Sequence, residues 1–98
     1  MSESKIGAIL RELSEVISSR CDAEPDSSYT ARLLAGDEDQ LLKKIGEEAT
    51  EVVMAAKDGD AAQLRYEAGD LVYHLLVVLE RWGVTLDELA DELAGRRG

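Results

Sequence analysis

The stretch EEATEVVMAAKDGDAAQLRYEAGD, Glu47 to Asp70, decides the fold. Its centre, KDGD, predicts a break between two helices, because Gly59 suits a left-handed turn. Asp60 can cap the second helix, with Gln63 three residues later completing a capping-box pattern. Helices joined by so short a turn pack antiparallel. We therefore expect an antiparallel helix hairpin.

Helical periodicity continues on both sides of this hairpin, and no strand pattern competes with it. The predicted helices cover about residues 3–19, 28–36, 39–57 and 61–82, and a last short helix runs from a Thr85 cap to about Leu93. A chain of 98 residues is expected to form one domain, residues 1–98. The predicted fold class is therefore all-α, a helical bundle around the hairpin.

Composition excludes several classes of protein. The chain has 21 acidic and 11 basic residues, a formal net charge of −10, which argues against binding to nucleic acid or an anionic membrane. No apolar run approaches the roughly 18 residues of a membrane span. The first residues, MSESKIG, lack the apolar core of a signal peptide. We therefore expect a cytoplasmic protein.

The second helix of the hairpin predicts an assembly. From Leu71 to Leu79, only Tyr73 and His74 are not aliphatic. A helix that is apolar nearly all round must be buried nearly all round, and this short chain offers little to cover it. We expect a homo-oligomer, a dimer or a tetramer, with this helix partly at the interface. The alternative is that the N-terminal helix folds over it.

Five carboxylates form the main candidate site. On a wheel of 100° per residue, Glu47, Glu48 and Glu51 fall within an arc of about 100°. Glu67 and Asp70 repeat the three-residue spacing of Glu48 and Glu51. Glu51 and Glu67 each lie about eight residues from the centre of the turn. The two acidic pairs are therefore expected to face each other at similar height.

Carboxylates that converge between packed helices repel one another, and desolvating each costs several kcal/mol. A hard divalent cation would relieve this repulsion, and Mg²⁺ is the usual intracellular choice for an oxygen-only site that handles phosphate. Gly46 and Gly69 stand beside the acidic residues and would allow close approach of a helix or ligand. The alternative is a solvated acidic face on which Lys43 or Lys44 pairs with a neighbouring glutamate.

The two acidic motifs, EEATE and EAGD, are separated by 15 residues. They resemble the E-E-x-x-E and E-x-x-D signature of the all-α, MazG-like nucleoside triphosphate pyrophosphohydrolases. SSYTARLLAGDEDQLLKKIGEEATEVVMAAK and EAGDLVYHLLVVLERWGVTLDEL give a narrower resemblance, to the phosphoribosyl-ATP pyrophosphohydrolases of histidine biosynthesis. It covers roughly residues 27–93.

This resemblance implies an enzyme, a Mg²⁺-dependent hydrolase that converts phosphoribosyl-ATP to phosphoribosyl-AMP and pyrophosphate in the second step of histidine biosynthesis. By the family pattern, the metal ligands are Glu48, Glu51, Glu67 and Asp70. Glu47 would stand beside them or help the attacking water, so the catalytic candidates are Glu47, Glu48 and Glu51. Which carboxylate is the base stays open.

The substrate-binding candidates are Tyr29, Thr30, Arg32 and Lys44. Tyr29 can stack on a base or ribose, or anchor the short helix to the core. Arg32 and Lys44 can each contact phosphate. The alternative for Arg32 is a surface arginine, and the alternative for Lys44 is a pair with Glu48. His74, four residues after Asp70 and so on the carboxylate side, is either an aid to the metal ligands or a hydrogen-bonded core histidine.

Two other functions compete with this interpretation. The first is a MazG-like pyrophosphohydrolase of free nucleotides such as dNTPs, with the same acidic site and another base and sugar pocket. The SSYTARLL segment, residues 27–34, favours the phosphoribosyl-ATP enzyme. The second is a non-enzymatic helical adaptor with an acidic surface, whose stability would not depend on Mg²⁺.

Overall fold

The computed structural model describes residues 4–97, which form helices and no strand. The α-helices among these residues are α1 (Lys5–Ser19), α2 (Tyr29–Ala35), α3 (Glu38–Asp58), α4 (Ala61–Arg81) and α5 (Leu86–Ala94), with a 3₁₀ turn at Pro25–Ser27. The predicted all-α fold class is confirmed. The other predicted bounds agree to one residue, but the first helix begins at Lys5 behind a Ser4 cap. Its predicted start, residue 3, lies outside the described residues.

The turn between α3 and α4 follows from its sequence. Gly59 adopts the left-handed conformation, with φ of 69°, and the Asp60 N–H donates to the Ala55 carbonyl, the pattern of a Schellman motif. The Asp60 carboxylate accepts from the Gln63 N–H at 3.0 Å, so the predicted cap is confirmed. The second hydrogen bond of the predicted capping box, from the Asp60 N–H to the Gln63 side chain, is wrong. The Asp60 N–H donates to the Ala55 carbonyl, and the Gln63 side chain donates to Glu67 instead.

The core lies where α1 and α2 pack against the α3–α4 hairpin. Ile17 of α1, Leu41 of α3, and Leu76 and Val77 of α4 are buried together. Leu33 and Leu34 of α2 pack against this cluster. The arrangement holds α2 across the hairpin, at the end away from the Gly59 turn.

Within the single chain, α4 is covered on part of its circumference. Val77 is fully buried, whereas Val72 and Leu75 are 39% and 41% exposed. The predicted alternative cover is present, because α1 contacts α4, yet it leaves these two side chains in solvent. One chain therefore covers α4 only in part, as expected, and the cover of its exposed side by a second copy stays a prediction. None of the helices in residues 4–97 is long and apolar enough to cross a membrane.

Candidate functional site

The first acidic contact of the hairpin joins Glu51 of α3 to Glu67 of α4. Hydrogen bonding with Glu67, followed by the charge of Glu67, raises the pKa of Glu51 above its usual value. Desolvation and the charges of Glu47 and Glu48 act in the same direction. The prediction that Glu51 and Glu67 lie at the same height is confirmed. In the metal-free protein, this proximity disfavours two full charges.

Glu67 is held in place from its own helix. Its side chain is buried, and the Gln63 amide one turn earlier donates to Glu67 Oε2 at 2.7 Å. A cavity of about 230 Å³ opens beside the two carboxylates; it is lined by Glu51, Met54, Ala55, Asp58, Asp60, Gln63 and Glu67. The hairpin therefore offers room for a small ligand next to its first acidic contact. A larger cavity of about 300 Å³ lies apart, between α1, the end of α4 and α5.

The second contact, farther from the turn, passes through His74. The His74 Nδ1 lies 2.7 Å from Glu48 Oε1 and 3.0 Å from the backbone carbonyl of Asp70. The Nε2 lies 2.8 Å from the hydroxyl of Tyr29. His74 is 5% exposed, so it is a hydrogen-bonded core histidine that also contacts a predicted metal ligand.

Tyr29, the first residue of α2, lies over this second contact. Burial raises the pKa of its hydroxyl, as do Tyr73 and the negative charges of Glu48 and Asp70. The side chain of Asp70 is therefore near enough to act on Tyr29 electrostatically. The predicted alternative that Tyr29 anchors the short helix is confirmed for its hydroxyl, while 43% of the residue remains exposed.

The other α2 candidates surround Tyr29. The hydroxyl of Thr30 forms a hydrogen bond with that of Tyr73 on α4. The rings of Tyr29 and Tyr73 stack with centroids 6.3 Å apart and planes at 22°. The guanidinium carbon of Arg32 lies 6.0 Å from the Tyr29 ring centroid, and Arg32 is exposed. The structure thus brings Tyr29, Thr30 and Arg32 together at the far end of the hairpin.

Lys44 and Glu47 are exposed on α3. Among the ion pairs within residues 4–97, none includes Lys44. The alternative in which Lys44 pairs with Glu48 is therefore wrong, because Glu48 turns inward to His74. Both exposed side chains remain accessible to a ligand.

The four predicted metal ligands lie along the contact between α3 and α4. They form two levels: Glu51 with Glu67 near the turn, and Glu48 with Asp70 around His74. Among the described residues, no three acidic, imidazole or thiol side chains are grouped so that they could hold a metal ion. The donors are all carboxylate oxygens, which is the chemistry that Mg²⁺ prefers, and the contact of Glu51 with Glu67 is one that a cation would relieve.

Neither Gly46 nor Gly69 is needed for close packing of helices within the described chain. A methyl group added at Gly46 or Gly69 would meet no atom within 4 Å. No neighbouring helix therefore needs the missing side chain at either position. The prediction of close approach by a helix is therefore wrong within the described chain, and the other half of it, close approach by a ligand, stays a prediction.

Gln63 and Tyr73 lie outside the predicted site residues, and the sequence leaves the role of His74 open. The sequence pattern predicts only a capping role for Gln63, although its position four residues before Glu67 signals the pairing with that carboxylate. For Tyr73, no spacing rule points to Thr30, because the two residues are 43 positions apart. Contacts between distant helices depend on how α2 packs across the hairpin.

Comparison with known proteins points to one enzyme family. The family model described as phosphoribosyl-ATP pyrophosphohydrolase matches residues 10–97. A protein of Pelotomaculum thermopropionicum named phosphoribosyl-ATP pyrophosphatase is 54% identical over 91% of this chain and 91% of its own. Proteins with the same name from Haloquadratum walsbyi and Dechloromonas aromatica are 50% and 44% identical, over 90% and 92% of this chain and 90% and 83% of theirs.

Proposed function

The chain belongs to the phosphoribosyl-ATP pyrophosphohydrolase family, an enzyme family of hydrolases, and on that premise we propose that it converts phosphoribosyl-ATP to phosphoribosyl-AMP and pyrophosphate with Mg²⁺. This is the second step of histidine biosynthesis, carried out in the cytoplasm by a single domain, residues 1–98. The observation that supports it most directly is the contact of Glu51 with Glu67. It brings one carboxylate from each helix to the same height, and carboxylate oxygens are the donors that a hard cation prefers.

Glu48, Glu51, Glu67 and Asp70 would hold the Mg²⁺. Glu48 and Glu67 each accept a hydrogen bond from a side chain of α4, so these two carboxylates are already oriented. Such support from neighbouring groups is usual for metal-binding carboxylates. Glu51 is exposed and can rotate toward the other donors without disturbing the core.

The chemistry that Mg²⁺ supplies when bound is neutralisation of phosphate charge and activation of water. The protein must then remove a proton from the attacking water. Glu47 is exposed, adjacent to Glu48, and near enough to Glu51 to affect its pKa. Glu47, Glu48 and Glu51 are therefore the proposed catalytic carboxylates, and one of them accepts the proton.

Substrate binding is assigned to the far end of the hairpin. Arg32 and Lys44 are exposed cations on α2 and α3 and would contact phosphate oxygens. Tyr29 and Thr30 would contact the base or ribose. The hydroxyls of these two residues are already used by His74 and Tyr73. The exposed part of Tyr29 is therefore what remains to contact the substrate.

We also propose that the chain works as a homo-oligomer, a dimer or a tetramer. Val72 and Leu75 on α4 and Ile9 and Val16 on α1 are substantially exposed in one chain. Covering them against a second copy would remove apolar surface from water without any change in the hairpin.

A side-by-side assay of pyrophosphate release tests the proposed substrate. Phosphoribosyl-ATP and the four dNTPs are each incubated with the protein, with Mg²⁺ and with excess chelator. We expect turnover of phosphoribosyl-ATP that requires Mg²⁺. Turnover of dNTPs without turnover of phosphoribosyl-ATP would contradict the proposal and favour the free-nucleotide pyrophosphohydrolase.

A further inference from the structure

His74 connects the two parts of the proposed site. It is buried between α2, α3 and α4, and its two ring nitrogens face different elements. Nδ1 meets Glu48 of α3 and the Asp70 carbonyl, and Nε2 meets Tyr29 of α2. Two hydrogen bonds through His74 therefore connect Glu48, a proposed metal ligand, with Tyr29, a proposed substrate residue.

The partners of the ring determine where its proton lies. Glu48 Oε1 and the Asp70 carbonyl both accept hydrogen bonds and donate none, so Nδ1 must carry a proton. When the ring has a single proton, Nε2 is an acceptor, and the hydroxyl of Tyr29 donates to it. The Tyr29 hydroxyl therefore favours the tautomer that donates to Glu48.

This hydrogen bond fixes the direction of the Glu48 carboxylate. The side chain of Glu48 is 12% exposed, and its Oε1 is occupied by His74 at 2.7 Å. The second oxygen of the carboxylate is the one left for a cation. Without the donor, the carboxylate would be free to rotate, and a site formed from flexible carboxylates loses affinity when it must order them.

We propose that His74 is a positioning residue that sets Glu48 for Mg²⁺ binding and that Tyr29 acts on Glu48 through it. This inference rests on the proposed function, because it assumes that Glu48 is a metal ligand. It links the placement of α2, which carries the substrate residues, to the affinity of the acidic site. Mg²⁺ binding and substrate binding would then favour the same arrangement of α2.

The test compares two amides at position 74, with Mg²⁺ affinity measured by calorimetry in the absence of substrate. In His74→Asn, the amide nitrogen stands near Nδ1 and can donate to Glu48; in His74→Gln, the amide lies nearer Nε2 and cannot. We expect His74→Gln to weaken Mg²⁺ binding by about 10- to 100-fold, the usual effect of losing such a supporting group. His74→Asn should retain most of the affinity.

Tyr29→Phe gives a second test that leaves the core intact, because Tyr29 is partly exposed. Loss of its hydroxyl should weaken Mg²⁺ binding by about two- to tenfold, the equivalent of one neutral hydrogen bond. In the His74→Gln background, the same substitution should add nothing, because the connection to Glu48 is already broken. Tyr73→Phe is the matched control: it removes the other hydroxyl contact between α2 and α4, with Thr30, and should leave Mg²⁺ affinity unchanged.

The outcomes separate this inference from the proposed function. If the wild-type protein binds no Mg²⁺, the proposed function fails and the inference fails with it. If the wild-type protein binds Mg²⁺ and releases pyrophosphate, while Tyr29→Phe and His74→Gln lower only the melting temperature, His74 is merely structural and the inference alone is overturned. Equal losses in Tyr73→Phe and Tyr29→Phe would also overturn it, since they would reflect general loosening of α2.

Discussion

Replacing Glu48 with Gln separates the charge of this side chain from its shape. The amide can still accept from His74 Nδ1, which lies 2.7 Å from Glu48 Oε1. A hydrogen bond to a charged group contributes about 1.5–3 kcal/mol and a neutral one about 0.5–1.5, so roughly 1–1.5 kcal/mol is lost. The side chain is only 12% exposed, and a buried amide costs less to desolvate than a carboxylate, which offsets part of the loss. The free energy of unfolding should therefore change by no more than about 1 kcal/mol, or about 4–8 °C in melting temperature.

The effect of Glu48→Gln on activity should be much larger. Loss of a group that supports a metal ligand costs about 10- to 100-fold, and loss of a ligand should exceed the upper end of that range. A 100-fold loss in kcat/KM corresponds to about 2.7 kcal/mol of transition-state stabilisation. At Mg²⁺ concentrations of 100 times the dissociation constant, the wild-type protein should gain about 2.7 kcal/mol of stability, and the variant should gain much less.

The assay combines pyrophosphate release with thermal melting at several Mg²⁺ concentrations. Glu12→Gln is the control, because it removes an exposed carboxylate on α1 that belongs to neither acidic motif. Near-normal turnover in Glu48→Gln, with an unchanged response of the melting temperature to Mg²⁺, would refute the assignment of Glu48 as a ligand. A collapse of the fold would instead refute the estimate of a small stability effect.

The remaining predictions concern the hairpin and its assembly. The pKa of the Glu51 carboxyl is raised in the folded state. The contribution of this carboxyl to stability is therefore lost as the pH rises from the usual pKa of a glutamate through the raised pKa. Glu51→Gln should therefore melt above the wild-type protein near neutral pH without Mg²⁺, with a difference that disappears on acidification; a constant difference would contradict this. Gly59→Ala should lower the unfolding free energy by about 1–2 kcal/mol, measured by denaturant titration, because φ is 69° there; no loss would contradict the role of the turn. Leu75→Glu should dissociate the oligomer, as measured by sedimentation. A wild-type protein that sediments with the mass of one chain, 10.7 kDa, would contradict the proposed oligomer.

Local sequence signals predicted much of the hairpin. Gly59 and the Asp60 cap depend only on nearby residues, so the turn could be read from KDGD. Once the turn is fixed, equal spacing on both sides places Glu51 opposite Glu67, as observed. Thr85 and Glu88 likewise form the predicted capping box of α5. These features share one property: their partners are set by separation along the chain.

Features that depend on competition between partners were predicted less well. Glu48 had a lysine one turn earlier on α3, yet it pairs with His74, because a carboxylate that turns into the core gains a hydrogen bond unscreened by water. The Asp60 N–H had two possible acceptors and was taken by the end of α3. Spacing along the sequence identifies which residues can contact each other, and packing decides which of these contacts forms.

The proposed metal ligands differ in how they are held. Glu48 on α3 and Glu67 on α4 are the inner carboxylates, each oriented by a donor on α4. Glu51 receives no such donor, and its pKa is raised first by hydrogen bonding with Glu67 and then by the charge of Glu67. If these carboxylates bind a cation as proposed, the orientation of Glu48 and Glu67 would lower the entropy cost of binding, and the cation would relieve the repulsion at Glu51. Both effects would favour the cation-bound state in a chain whose net charge is −10.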